Sequence, residues 1–144
     1  MTEIALYQVD AFTDAAFGGN PAAVCPLEAW LPDATLQAIA AENNLSETAF
    51  FVPNGEGYHL RWFTPAIEVA LCGHATLATA YVIAQHIDPA ATTFRFASAS
   101  GPLKVTRDGE VFTLDFPTAE PASCDDGGAI AAALGFAPQE VVKA

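Results

Sequence analysis

The stretch from Ile67 to His86, IEVALCGHATLATAYVIAQH, decides how the rest of this chain is read. From His74 onward Leu77, Ala78, Ala80, Tyr81, Val82, Ile83 and Ala84 leave no broad polar stripe, so the segment predicts a helix enclosed by the fold rather than laid on its surface. An enclosed helix needs a wrapper, and short β-prone segments lie on both sides of it. The expected class is therefore α+β, with a sheet curled around this helix. Cys72-Gly73-His74 fall at the helix start, where unpaired backbone N–H groups favour an anion.

Working outward toward the N-terminus, Ile4 to Phe12 reads as a first strand and FGGNPAAV, 17 to 24, as a glycine bend that resumes as a strand at Ala22 to Cys25. Leu31-Pro32-Asp33 introduces a helix with Asp33 as the expected N-cap and Leu36, Ile39 and Ala40 on one face; it ends near Asn43-Asn44. SETAFFV, 46 to 52, and YHLRWFT, 58 to 64, read as paired strands around Asn54-Gly55, with Leu60 and Trp62 on one face. Glu47 thus stands at the start of a strand. Toward the C-terminus, Phe94 and Phe96 point to one side of a strand over 92 to 97. LKVTR and EVFTLDF flank Asp108-Gly109, which predicts a type I′ hairpin.

Residues 1–118 thus predict one compact lobe. PTAEPASCDDGG, 117 to 128, reads as a linker; a short helix from Ala129 stopped by Gly135, and another opening at Pro138, would begin a second lobe within 119–144.

The totals narrow the function classes. A chain of 144 residues with 52% hydrophobic content supports one core. Five Lys and Arg against 17 Asp and Glu give a net charge of −12, which disfavours nucleic acid and anionic membranes as partners. A small anion remains compatible, because helix-end donors act locally while the diffuse field is screened over about 8 to 10 Å. Cys25, Cys72 and Cys124 are odd in number and widely spaced, which suits a reducing, cytoplasmic compartment. The N-terminal residues lack a signal-peptide pattern, no apolar run reaches membrane-spanning length, and Asn44-Leu45-Ser46 reads as a chance sequon.

Zincin, phosphate-loop, dinucleotide-binding and hydrolase-elbow motifs do not occur in the sequence. His74 and His86, twelve residues apart on one helix, would be about 18 Å apart and cannot share an ion. No metal and no cofactor are expected. Cys72 beside His74 suggests either a thiolate activated at a helix start or a small core residue, and both readings stay open.

FGGNPAAV at 17 to 24, NLSETAFFV at 44 to 52, RWFTP at 61 to 65 and EVALCGHATLATA at 68 to 80 follow the order and spacing of the phenazine-biosynthesis PhzF-like family, which the chain resembles from residue 4 to about 118 and more weakly beyond. The resemblance implies a diaminopimelate epimerase-like fold, with two similar lobes, each a mixed β-sheet rolled around a central helix, and an active site in the cleft between them. It implies a cofactor-independent isomerase that abstracts and returns a proton on a small carboxylate. Glu47 of NLSET corresponds to the family's general acid/base and His74 of GHAT to its active-site histidine. Gly73 and the neighbouring N–H groups at the helix start, Ala75 among them, correspond to part of the substrate-carboxylate cradle, and Asn20 and Ser46 to cleft-lining positions. Cys72 falls beside the position at which the epimerase relatives use a thiol and is a second-rank substrate-site candidate, since the PhzF-like branch relies on the glutamate. A base for such carbon acids works best with a pKa near ambient pH.

Many members of that family carry Asp where this chain has Ala70. They are also about twice as long, the second lobe supplying the opposite cleft wall. Two further readings follow for this chain: a catalytically silent half that binds small carboxylates or acts as a dimerisation module, and two copies pairing as a homodimer to rebuild a cleft.

Overall fold

In the computed structural model, residues 3–117, 120–124 and 127–143 are described. The sequence expectations at 118–119, 125–126 and the two terminal ends lie outside them. Strands β1 (Tyr7–Ala11), β2 (Asn20–Pro26), β3 (Glu47–Asn54), β4 (Gly57–Phe63), β6 (Thr93–Ser98), β7 (Gly101–Asp108) and β8 (Val111–Asp115) form one mixed sheet in the order β1-β2-β3-β4-β6-β7-β8, with β5 (Glu68–Val69) added to β4. Helix α1 (Asp33–Asn43) connects the parallel neighbours β2 and β3. Helix α2 (Gly73–His86) connects β5 to β6 and touches β1, β2, β3, β7 and β8, so the sheet curls around it as expected.

Alternation along the strands builds two cores, one on each face of the sheet. Ala22, Val24, Ala49, Phe51, Leu60, Trp62, Phe94 and Phe96 pack inward with α2. Cys25, Phe50 and Phe63 pack outward beneath Leu36 and Ala40 of α1. On that outer face Arg61 binds Glu68 with Nε–Oε1 and Nη2–Oε2 distances of 2.7 Å and reaches Asp33 at 2.9 Å, tying β4, β5 and α1 together. Asp33 is the first helical residue and its side chain serves Arg61; Pro32, not Asp33, occupies the N-cap, where its fixed φ of −54° suits the chain entry.

Among the described residues, the enclosure of α2 is open at Tyr81. Tyr81, expected inside, is 43% exposed. It faces a groove of about 420 Å³ between the two edge strands, lined by Val9, Ala11, Phe12, Leu77, Tyr81 and Phe112 among others. The sheet curls but does not close, so the helix side beneath the gap keeps an exposed aromatic.

The outer edge of β4 is shared by two partners. Trp62 and Phe63 pair with β5, whereas β6 is joined only through Tyr58↔Phe96 and His59↔Ala97.

Gly19 bends the chain before β2 with φ 68°, and a Cβ there would collide with the Ala11 carbonyl oxygen. The β7–β8 hairpin differs from expectation by one position. Asp108 pairs with Val111, so Gly109-Glu110 form the loop, and only Gly109 has positive φ, at 60°. That is the pattern of a type II′ turn rather than I′.

Further on, β9 (Ala122–Ser123), α3 (Gly127–Leu134) and β10 (Val142–Lys143) follow, and β9 pairs with β10. The helix expected from Pro138 does not form; Val142 and Lys143 pair as strand instead. Gly135, with φ 77°, ends α3 as the sequence indicated.

Candidate active site at the start of the enclosed helix

Parallel pairing of β2 with β3 sets Ala22 opposite Glu47 and brings the starts of both strands to one end of the sheet. Asn20 and Ser46 meet there, the Ser46 hydroxyl donating to Asn20 Oδ1 at 3.2 Å. The start of α2 arrives at the same end. His74 Nε2 lies 3.3 Å from Glu47 Oε2, with the His74 side chain 8% and the Glu47 side chain 19% exposed. The two atoms are close but lack the alignment of a hydrogen bond, and both are buried. On the other side of the imidazole, Nδ1 lies 3.4 Å from Cys72 Sγ. Glu47, His74 and Cys72 therefore form one contiguous cluster, although 27 residues separate Glu47 from His74.

Cys72 holds a proton at this position. Burial, above all, pushes its thiol from 9.0 up to about 11, and the Glu47 carboxylate adds to the rise; the Ala75 and His74 backbone N–H groups pull the other way. Of the two roles the sequence left open, a resting thiolate nucleophile is the one these surroundings disfavour.

The first turn of α2 starts without a side-chain cap. Thr76 instead turns inward, its hydroxyl donating to the Cys72 carbonyl at 2.6 Å. Ala75 is fully buried and can offer a ligand only its backbone. The approach to Gly73 is not open space: the Phe116 ring rests against it, so closely that a Cβ at position 73 would collide with the ring. Phe116 went unnoticed in the sequence, because DFP after a strand carries no chemical signal. At Ala70 the carbonyl accepts a hydrogen bond from the Ser100 hydroxyl at 2.8 Å, which anchors the loop without a side chain there.

The remaining histidines are engaged elsewhere. His86 stacks on Tyr7 with ring centroids 4.4 Å apart, and His59 meets the Trp30 edge at 5.1 Å. Asn20, Ser46, Glu47, Cys72, Gly73, His74 and Ala75 thus gather at one end of the curled sheet. No helix among the described residues is long and apolar enough to cross a membrane.

A mixed sheet curled around a helix, with a carboxylate and an imidazole at that helix's start, defines an α+β protein of the diaminopimelate epimerase-like fold. The chain belongs to the phenazine biosynthesis-like (PhzC-PhzF) protein family, whose pattern it matches over residues 9–139. It is 56% identical over 141 residues to an uncharacterized isomerase of Pseudomonas aeruginosa, covering 98% of this chain and 54% of that protein. Against the human phenazine biosynthesis-like domain-containing protein the identity is 46%, over 80% of this chain and 43% of the relative. Its structure superposes on that of a PhzF-family phenazine biosynthesis protein from Enterococcus faecalis with a TM-score of 0.89 at 51% identity, covering 98% of this chain and 54% of the other. The chain spans about half the length of the relatives it matches.

Proposed function

We propose that this chain carries one wall of the active site of an isomerase that removes a proton from carbon in a small carboxylate substrate and returns it elsewhere, without a cofactor. The buried approach of Glu47 Oε2 to His74 Nε2, 3.3 Å, carries this reading. Glu47 is the acid/base: it is anchored by a strand start and retains partial access to solvent, as a group exchanging protons with substrate must. His74 positions the carboxylate and accommodates its change of charge. Gly73 and the first N–H groups of α2 receive the substrate carboxylate once Phe116 moves aside. Asn20 and Ser46 flank the same opening.

Residues 1–118 form the lobe in this reading, and 119–144 lead into the opposite wall. That wall comes either from a second lobe of the same polypeptide, as the doubled length of the relatives suggests, or from a second copy of the chain. Native mass spectrometry separates these arrangements by mass.

The test is solvent deuterium incorporation into a panel of small unsaturated carboxylates, followed by NMR in the complete or reconstituted protein. Glu47→Gln is expected to reduce incorporation by about 10² to 10⁴-fold while leaving the melting curve in place. Incorporation at the unmodified rate would remove Glu47 from the mechanism, and carboxylate binding without incorporation would make the lobe a binding module instead.

A further inference from the structure

We propose that Cys72 is a positioning residue that fixes the tautomer of His74: its thiol donates to Nδ1, so that the neutral ring carries its proton on Nε2, facing Glu47. The inference deepens the proposed function and rests on that reading for its use in catalysis, whereas the tautomer itself follows from geometry. The two neighbours of the imidazole face opposite ring nitrogens. Cys72 Sγ lies 3.4 Å from Nδ1, and Glu47 Oε2 lies 3.3 Å from Nε2. A neutral imidazole has one donor and one acceptor nitrogen, so the partner at either nitrogen decides both.

The direction of the sulfur contact follows from what the sulfur holds. Burial pushes the Cys72 thiol up to about 11 and the Glu47 carboxylate adds to the rise, so at neutral pH the group is S–H and can donate. Cys72 stands at the N-cap of α2 with extended backbone, φ −147° and ψ 115°, yet its side chain does not cap the helix. The backbone N–H groups of Ala75 and His74 nevertheless act on the sulfur and draw its lone pairs toward the first turn, which leaves the S–H for Nδ1. The opposite tautomer would set N–H against S–H on one side of the ring. On the other it would set two lone pairs against each other across 3.3 Å. Glu47 biases the ring the same way only while it is a carboxylate, and an acid/base changes charge as it works. Cys72 keeps its proton through that change, so it is the constant hold on the ring, and the Nε2–H stays turned toward the group that reacts.

The test is a long-range proton–nitrogen correlation spectrum of the isotope-labelled protein, recorded where the imidazole is neutral, which reads which ring nitrogen carries the proton. The His74 signals are identified by their loss in His74→Asn. The unmodified protein is expected to show Nε2–H. Glu47→Gln, whose amide can face either tautomer, should keep it, because the thiol is still present. Adding Cys72→Ala to Glu47→Gln should raise the Nδ1–H share about fivefold, the worth of one modest hydrogen bond, and Cys72→Ser in its place should restore the original ratio because a hydroxyl also donates. Circular dichroism checks folding; if the Ala variant does not fold, Cys72→Val, which fills the space without a donor and suits extended backbone, takes its place with the same two outcomes. Nδ1–H in the unmodified protein, or a tautomer ratio indifferent to loss of the donor, would overturn the proposal. No turnover is read here, so the two readings fail separately: deuterium incorporation unaffected by Glu47→Gln ends the isomerase reading and leaves the tautomer assigned, whereas an indifferent ratio ends this inference alone.

Discussion

Cys25 and Cys72 both sit where ionisation is costly. Burial pushes Cys25 up to about 12 and Cys72 up to about 11, against an ordinary value of 9.0. Tyr58 is also raised, first by burial and then by Asp88. The unfolded chain gives up its thiol protons near pH 9 while the folded chain keeps them. The stability these groups contribute is therefore complete below pH 9 and is lost as pH rises from there toward 11 and 12. The urea midpoint should fall steadily above pH 9, and Cys25→Ala should flatten that fall; an unchanged slope would mean that the thiol is not shielded. At this scale the sequence was informative about residue type and less so about position. Glu47 and His74 were found through their motifs, since no spacing rule links a strand start to a helix start 27 residues away. Phe116 lies over Gly73 only because the end of β8 reaches that helix, a contact that hydropathy does not encode.

At the scale of elements, α2 combines a well-read interior with a misread flank. Ala78, Val82 and Ile83 are buried as the apolar run implied, whereas Tyr81 looks out through the gap between β1 and β8. Hydropathy reports that a helix can be enclosed; it does not report whether the enclosing sheet closes. Ile83→Ala should therefore cost about 2 to 5 kcal/mol by denaturant unfolding. Tyr81→Asp, which a fully wrapped helix would not survive, should cost about 1 kcal/mol or less, since mainly the edge contact with Phe112 is lost. Comparable losses would contradict the open seam. The strands were legible because period-2 alternation records which face is buried, as at Leu60 and Trp62. The β7–β8 turn was displaced by one residue because Asp108 remains in the strand and only Gly109 needs positive φ. Val142 and Lys143 pair with β9 across about twenty residues, a long-range choice that overrides the weak helix signal after Pro138.

For the whole molecule, the rolled α+β class was legible because a nearly all-apolar helix has few places to go other than inside a sheet. The way the sheet divides was not. Strands β1 to β5 and strands β6 to β8 share α2 but are stitched to each other through two residue pairs of β4 and β6. Opening there breaks few ladder bonds. Amide hydrogen exchange should accordingly resolve two cooperative blocks, with β6, β7 and β8 exchanging together and earlier than β2, β3 and β4. The protein would then breathe along a line inside its sheet, and the Phe116 that shields Gly73, attached just after β8, would travel with the more labile block.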